Sequence, residues 1–202
     1  MDGLRTAPVS AAVLAGGAGR RMGREKATLP VGGLALALRV ATAAAEVADP
    51  VVLVAPEGHP ARTLGWPVVA DPAGGPLAAV AAALAALRTE HVLVLAGDHP
   101  ALEPRLLALL VARRADGQVV ACDHGGRLQS LVAVYERAPA HAAATALLRV
   151  GRRSIRALVG ALDLRVVPER EWRRADPAGR SFLDVDEPAD LRGWEDAPPG
   201  GR

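Results

Sequence analysis

The sequence contains very little cysteine and no long apolar run. Its 202 residues include one cysteine, Cys122, which excludes an internal disulfide and suits a reducing compartment. No apolar stretch approaches the roughly 18 to 20 residues of a membrane helix, and residues 1–8 lack the apolar centre of a signal peptide. We therefore expect a soluble, cytoplasmic protein.

Aromatic side chains are also few, and the net charge is small. The chain has three Trp, one Tyr and one Phe, so a core drawn from its 50% hydrophobic residues must consist mainly of Ala, Val and Leu. The formal net charge is only +2, which argues against nucleic acid or a membrane as a partner. The length suits one domain with a full core. We predict a single domain over 1–202, with residues 1–8 and 196–202 disordered.

A glycine-rich loop with several cations follows the first apolar run, residues 11–15. Its glycines are Gly16, Gly17, Gly19 and Gly23, and its cations are Arg20, Arg21, Arg24 and Lys26. Glycine lets a ligand approach main-chain amides closely, and Arg and Lys favour polyphosphate. The loop therefore predicts a cradle for a nucleoside triphosphate. The alternative is a tight strand-to-helix connection with solvated arginines.

Two familiar phosphate-binding loops are excluded by spacing. A P-loop requires Lys directly after its last Gly and then Ser or Thr, whereas Arg24 follows Gly23 and Ala27 follows Lys26. The dinucleotide fingerprint requires a third glycine where this chain has Met22. The pattern that remains is LAGGxxxRMGxxK.

Strand and helix patterns alternate from the start of the chain to about residue 115. The predicted strands are 11–15, 50–56, 67–72, 92–96, 117–123, 125–135 and 164–168, and the predicted helices are 34–48, 74–88, 103–114, 137–148, 154–162 and one after residue 187. Such alternation predicts an α/β fold, a three-layer α/β/α sandwich around a Rossmann-like, mostly parallel sheet. Strand 125–135 follows its predecessor so closely that it should pair antiparallel.

Two carboxylates directly follow predicted strands. Asp71 ends the run 67–72, and Asp98 follows the five apolar residues 92–96. Because ligands gather at the carboxyl edge of a parallel sheet, we expect the Gly16 loop, Asp71 and Asp98 to lie along one edge. Asp98 suits a magnesium ligand, and its alternative role is that of N-cap for helix 103–114.

These residue types predict phosphoryl chemistry without a side-chain nucleophile. Arg21 and Lys26 would stabilise the β- and γ-phosphates that leave as pyrophosphate, while Asp98 holds Mg²⁺ against the α-phosphate. An acceptor phosphate oxygen would attack directly, in line with the leaving group.

The pattern Leu14-Ala15-Gly16-Gly17, Arg21-Met22-Gly23 and Lys26 resembles the molybdenum cofactor guanylyltransferases, with a likeness that extends over residues 9–194. The resemblance implies a fold of the nucleotidyltransferase type and Mg²⁺ as cofactor. Loop and resemblance together assign nucleotide binding to Leu14, Ala15, Gly16, Gly17, Lys26, Asp71 and Asp98. The opening LAGG is more similar to the guanylyl branch than to the cytidylyl branch, where LAAG is usual.

Later motifs imply an acceptor site. Arg127-Leu128-Gln129, the segment 151–156 and the segment 184–188 match family patterns. The resemblance implies that the acceptor is bound by Arg127, Gln129, Ser154 and Asp184, with Arg152, Arg153 and Arg156 as further candidates. It also makes Asp186 a second candidate metal ligand. The chain departs from the family at Ser130, where proline is common, at Asp184 and Asp186, which replace asparagines, and at 53–55, where some members place an Asn near the base.

The resemblance implies transfer of GMP from GTP to the phosphate of molybdopterin, with GTP, the acceptor and molybdoenzyme maturation proteins as partners. Three alternatives stay open. The first is a cytidylyltransferase for molybdopterin. The second is a transferase for another phosphorylated acceptor, such as a sugar or alcohol phosphate. The third is a nucleotide-binding regulatory subunit without turnover.

Overall fold

Alternating apolar segments and glycine-rich connections build the sheet and its helices. The computed structural model describes residues 8–16 and 26–185. The described strands are β1 (Val9–Leu14), β2 (Pro30–Val31), β3 (Leu34–Ala35), β4 (Val51–Ala55), β5 (Val68–Ala70), β6 (His91–Ala96), β7 (Val119–His124), β8 (Arg127–Glu136) and β9 (Leu164–Val167). The α-helices are α1 (Leu36–Ala45), α2 (Pro76–Ala86), α3 (Pro104–Ala112), α4 (Arg137–Arg149), α5 (Ile155–Val159) and α6 (Glu169–Trp172), with 3-10 helices at Lys26–Thr28, Pro60–Thr63 and Arg180–Phe182.

Seven of these strands form one sheet in the order β5-β4-β1-β6-β8-β7-β9. Of the strands described, β8 alone runs antiparallel to its neighbours in this sheet, pairing with both β6 and β7. At the centre, Ala11 of β1 lies opposite Val51 of β4 and Leu93 of β6 in parallel register. The prediction of a mostly parallel sheet with an antiparallel strand is confirmed, as is the short edge strand near 164–168.

The two faces of the sheet bury separate cores, which confirms the three-layer sandwich. Successive strand side chains point to opposite faces. Ala11 and Val13 therefore join one core, and Ala12 joins the other. The first core contains residues of α1, α3 and α6, and the second contains residues of α2, α4 and α5. The alanine-rich helix α2 buries Leu77, Val80 and Leu84 in the second core.

The connection after the cation-rich loop differs from its prediction. The helix expected over 34–48 begins at Leu36, and Leu34 instead pairs with Val31 in the antiparallel hairpin of β2 and β3. Gly32 and Gly33 form the turn, both with positive φ, which is the chemistry of a two-residue hairpin. The turn was not predicted, because the apolar residues that follow it have the spacing of a helix. The short helix α6 was also not predicted.

Some sequence predictions fall on residues that the structure does not describe. They are the disorder expected for 1–8, of which the structure describes only residue 8, the disorder expected for 196–202, and the terminal helix expected to begin at Glu187-Pro188. Within the described ranges, no helix combines the length and apolar character needed to cross a membrane.

Candidate active site

A cavity of about 600 Å³ lies at the carboxyl edge of the sheet, where β1 and β6 end. The described residues that line it are Leu14, Ala15, Gly16, Ala27, Pro56, Asp71, Ala73, Gly75, Pro76, Ala79, Ala96, Gly97, Asp98 and Leu131. The structure thus brings Gly16, Asp71 and Asp98 together, as the sequence predicted. They come from three segments that only the parallel strand order makes neighbours.

Gly16 lies where no larger residue fits. A Cβ atom at this position would stand 2.7 Å from Oδ2 of Asp71 and 2.8 Å from Cδ of Pro56. The end of β1 can therefore pack against the Asp71 carboxylate only if residue 16 has no side chain. This contact defines one wall of the cavity.

The end of β6 approaches β1 just as closely. The Gly97 amide donates a 3.0 Å hydrogen bond to the carbonyl oxygen of Leu14, and a Cβ at residue 97 would stand 2.7 Å from that oxygen. The main chain that leads to Asp98 is thereby tied to the main chain that leads to Gly16.

Asp71 is oriented by two hydrogen bonds. Its amide donates to the carbonyl oxygen of Ala55 at 3.0 Å, which joins the ends of β4 and β5. Its Oδ1 accepts a 2.9 Å hydrogen bond from the amide of Ala73, a non-glycine residue with a φ of 57°. Such left-handed backbone costs about 1 kcal/mol or more and persists only where neighbouring contacts hold it. The turn thus fixes the carboxylate at the cavity wall.

Asp98 lines the cavity and also contacts the last described segment of the chain, residues 183–185. Its side chain is 32% exposed, and its carbonyl oxygen accepts a 3.0 Å hydrogen bond from the amide of Val185. The Nε2 atom of His99 lies 4.0 Å from Asp98 Oδ1, and the other ring nitrogen lies 3.3 Å from the carbonyl oxygen of Leu183. The alternative role of Asp98 as a helix N-cap is wrong, because Glu103 occupies that position for α3.

The donor set around the cavity fits Mg²⁺ in one particular way. Among residues 8–16 and 26–185, no group of three or more His, Cys, Asp or Glu side chains is arranged to hold a metal ion. Mg²⁺ is usually held by one or two carboxylates together with substrate phosphates and water. Asp98, partly exposed at the cavity, meets that requirement.

The predicted acceptor residues Arg127 and Asp184 are exposed near the same edge of the sheet, and Gln129 is half-buried. Leu95 near the end of β6 pairs with Val132, so the first residues of β8, including Arg127 and Gln129, extend past that end. Arg127 is exposed, and Gln129 Nε2 donates a 3.1 Å hydrogen bond to the Arg127 carbonyl oxygen. Asp184 is exposed between Leu183 and Val185, which contact the Asp98 turn.

The segment before α5 reaches the nucleotide side through one arginine. Arg153 donates a 3.0 Å hydrogen bond from a terminal guanidinium nitrogen to the carbonyl oxygen of Gly74, beside the cavity-lining Gly75. Ser154 is the exposed N-cap residue of α5, and within the described structure its side chain makes no capping hydrogen bond.

Three of the predicted site residues lie outside the described ranges, namely Gly17, Arg21 and Asp186. The backbone of Lys26 begins the 3-10 helix Lys26–Thr28, and its neighbour Ala27 lines the cavity. The described residues Gly16 and Ala27, which come before and after the predicted cations in the sequence, both line the cavity.

Sequence reasoning missed the apolar lining of the cavity. Pro56, Ala73, Ala79 and Leu131 carry no chemical signature, although Pro56 is the last residue of the predicted strand 50–56. Leu131 could not have been found, because its place depends on which strand β8 joins. Cys122 is buried in β7, where desolvation and then the charge of Glu171 raise its pKa to about 12, as expected for an unreactive strand residue.

The fold and the cavity together define a nucleotidyltransferase, and comparison with known proteins agrees. A profile of the MobA-like NTP transferase domain matches residues 11–175. A probable molybdenum cofactor guanylyltransferase of Chloroflexus aggregans is 34% identical over 196 residues, which cover 91% of this chain and 92% of that protein. The chain belongs to the molybdenum cofactor guanylyltransferase family.

Solved structures share the fold of this chain. Molybdopterin-guanine dinucleotide biosynthesis protein A from Archaeoglobus fulgidus superposes with a TM-score of 0.79 at 26% identity, covering 92% of this chain and 96% of that one. The 2-C-methyl-D-erythritol 4-phosphate cytidylyltransferase of Thermus thermophilus superposes with a TM-score of 0.69 at 21% identity, covering 91% and 96%. The second likeness is one of fold alone.

Proposed function

We propose that this protein transfers GMP from GTP to the phosphate of molybdopterin and releases pyrophosphate. The observation that carries the proposal is the convergence of Gly16, Asp71 and Asp98 on one cavity, in a chain of the guanylyltransferase family. An acceptor phosphate oxygen forms a bond to the α-phosphorus of GTP. The bond from that phosphorus to the bridging oxygen of the β-phosphate breaks, and the electron pair leaves with pyrophosphate.

Asp98 is the residue proposed to hold Mg²⁺. When bound, the ion would neutralise charge on the α-phosphate and on the leaving group. Because the carbonyl oxygen of Asp98 is tied to Val185 and the preceding amide is tied to Leu14, the carboxylate is presented from a fixed backbone. Arg21 and Lys26 are proposed to bind the β- and γ-phosphates as they leave.

Asp71 is proposed to bind the nucleoside rather than the phosphates. A carboxylate repels phosphate and accepts hydrogen bonds from ribose hydroxyls or from N–H groups of the base. One oxygen of Asp71 already accepts from Ala73, which leaves Oδ2 on the Gly16 side to receive such a donor. Leu14, Ala15, Gly16 and Gly17 would complete the nucleotide site through their main chain.

The proposed guanine preference rests on the family's LAGG sequence, and the structure gives a reason for the glycine at residue 16. The LAAG sequence typical of the cytidylyl branch would place alanine at residue 16, where a Cβ overlaps Asp71 and Pro56. This chain has the glycine that its own Asp71 requires. The acceptor would then lie against Arg127, Gln129, Ser154 and Asp184, with arginines 152, 153 and 156 attracting its anionic phosphate. Delivery of the product to molybdoenzyme maturation proteins stays a prediction.

A nucleotide and acceptor screen tests the proposal. The protein is mixed with GTP, CTP, ATP or UTP, each with Mg²⁺ and with molybdopterin or molybdenum cofactor, and pyrophosphate release is followed. We expect release with GTP at least about tenfold faster than with any other nucleotide, the discrimination that about 1.4 kcal/mol provides. Faster release with CTP would overturn the choice of base, and release with another phosphorylated acceptor alone would overturn the choice of acceptor. No release with any pair would favour a regulatory subunit.

A further inference from the structure

Arg39 is a charged residue buried away from the cavity. It lies on α1 and is 8% exposed, and the described residues that line the cavity do not include it. Burial of a charge is costly unless hydrogen bonds satisfy it, and an apolar residue of similar volume is often tolerated as well or better. The burial of Arg39 therefore calls for an explanation beyond stability.

The guanidinium of Arg39 joins two segments that border the nucleotide site. Its Nε donates a 3.1 Å hydrogen bond to the carbonyl oxygen of Pro100, two residues after Asp98. A terminal guanidinium nitrogen donates another 3.1 Å hydrogen bond to the carbonyl oxygen of Val31 in β2, five residues after Lys26. The planar guanidinium presents its donors in a fixed fork, which lets this one side chain reach both carbonyls.

A small apolar cluster reinforces the same junction. Val31, Leu36 and Val185 pack together, and the amide of Val185 donates to the carbonyl oxygen of Asp98. The hairpin β2–β3, the Asp98 turn and the segment that carries Asp184 thus meet around Arg39 and Val185. Hydrogen bonds of 3.0 to 3.1 Å therefore connect these segments to one another.

We propose that Arg39 is a positioning residue for the Asp98 turn. It holds the turn between Asp98 and Pro100 in register with the hairpin that follows the cation-rich loop, and thereby sets the direction of the Asp98 carboxylate. This inference rests on the proposed function, because it takes Asp98 as the residue that holds the metal ion. Arg39 itself touches neither nucleotide nor acceptor.

The test compares Arg39→Met and Arg39→Lys with Val40→Ala, which removes buried packing from the same helix and leaves both guanidinium hydrogen bonds in place. Mn²⁺ binding is measured by electron paramagnetic resonance in the presence of a GTP analogue with a methylene bridge between its α- and β-phosphates. Hydrogen exchange is measured for peptides that contain residues 96–103 and 183–185. Neither measurement requires turnover.

We expect Arg39→Met to raise the half-saturating Mn²⁺ concentration about tenfold, because the substitution removes both hydrogen bonds that the charged guanidinium donates. Exchange in both peptides should become faster, and Arg39→Lys, which keeps the charge and one donor direction, should give a smaller change of the same sign. Val40→Ala should lower the melting temperature and move neither measurement.

Unchanged Mn²⁺ binding and exchange in a folded Arg39→Lys or Arg39→Met protein would overturn the positioning role. A shift of equal size in Val40→Ala would overturn it as well, because general loss of stability would then explain the effect. Failure of the proposed function has a different signature, since it appears in the unsubstituted protein as absence of pyrophosphate release. The exchange data still decide the role of Arg39 in that case.

Discussion

The nucleotide side and the acceptor side of the site are built differently. Main-chain hydrogen bonds hold Asp71 and Gly97, and the space beside Gly16 and Gly97 leaves no room for a Cβ atom. Arg127 and Asp184 are exposed, and the side chain of Ser154 is not used in capping. A rigid, glycine-lined wall suits the part of the reaction that must align a triphosphate. The exposed side leaves the choice of acceptor to individual side chains.

The largest effect should come from the carboxylate proposed to hold the metal. Asp98→Asn preserves shape and removes the negative charge, so we expect turnover with saturating GTP and Mg²⁺ to fall about 100-fold or more. Chelation of Mg²⁺ should abolish pyrophosphate release, and added Mg²⁺ should restore it. Asp184→Asn on the acceptor side is the matched control, with a smaller loss expected. Near-normal turnover of Asp98→Asn would remove the contrast between the two sides.

A methyl group at residue 16 should be the next most damaging change. In Gly16→Ala the new Cβ would overlap Asp71 Oδ2 and Pro56, so one of them must move. A displacement of this kind in a positioned site costs about 10- to 100-fold, and we expect that loss in kcat/KM for GTP. The KM for the acceptor should stay within about twofold of its original value, because residue 16 lies on the nucleotide side and distant substitutions usually have effects of this size. A gain of activity with CTP would link residue 16 to base choice. Unaltered GTP kinetics would show that Asp71 or Pro56 can move to accommodate the methyl group without loss of activity.

A single exposed arginine should have a smaller and more selective effect. Arg127→Ala is expected to raise the KM for the acceptor about threefold to tenfold, as for one solvent-accessible hydrogen bond to an anion. The KM for GTP should not change, because Arg127 lies outside the cavity lining as described. Arg165→Ala on edge strand β9, another exposed arginine, serves as the control. Equal effects on both substrates would mean that the two sides are not separable.

The smallest effect on activity should come from Cys122. Burial raises its pKa to about 12, above the ordinary value of 9.0. The unfolded chain therefore loses the thiol proton first as the pH rises, and stability is lost between about pH 9 and pH 12. Cys122→Ala should keep normal turnover and show a weaker loss of stability over that interval, measured by denaturant unfolding at pH 8 and pH 10.5. Rapid alkylation of the folded protein at pH 8 would contradict the inert role.

Local signals were sufficient for most elements of the fold. The five apolar residues before Gly97 predicted a buried parallel strand, and the close succession of 117–123 and 125–135 predicted an antiparallel pair, which β7 and β8 form. The start of α1 was misplaced because a hairpin turn of two glycines lies inside a stretch with helical spacing. Strands of only two residues, such as β2 and β3, are too short to show the alternation of apolar and polar residues that identifies a strand.

The site was predictable only where chemistry is visible in residue type. Asp71 and Asp98 stand at strand ends and could be named before their proximity was known. Arg39 could not be recognised, because an arginine in a helical segment is ordinarily an exposed residue. Its two carbonyl partners lie 8 and 61 residues away along the chain.

By itself, the sequence determined the class of the fold and the family of the protein, because apolar periodicity, glycine spacing and turn chemistry act over a few residues. Tertiary structure alone decided which of those residues meet. The overlap between residue 16 and Asp71, the place of Leu131 in the cavity and the bridge made by Arg39 depend on strand order and on register. These features arise from packing between distant segments, and no local pattern encodes them.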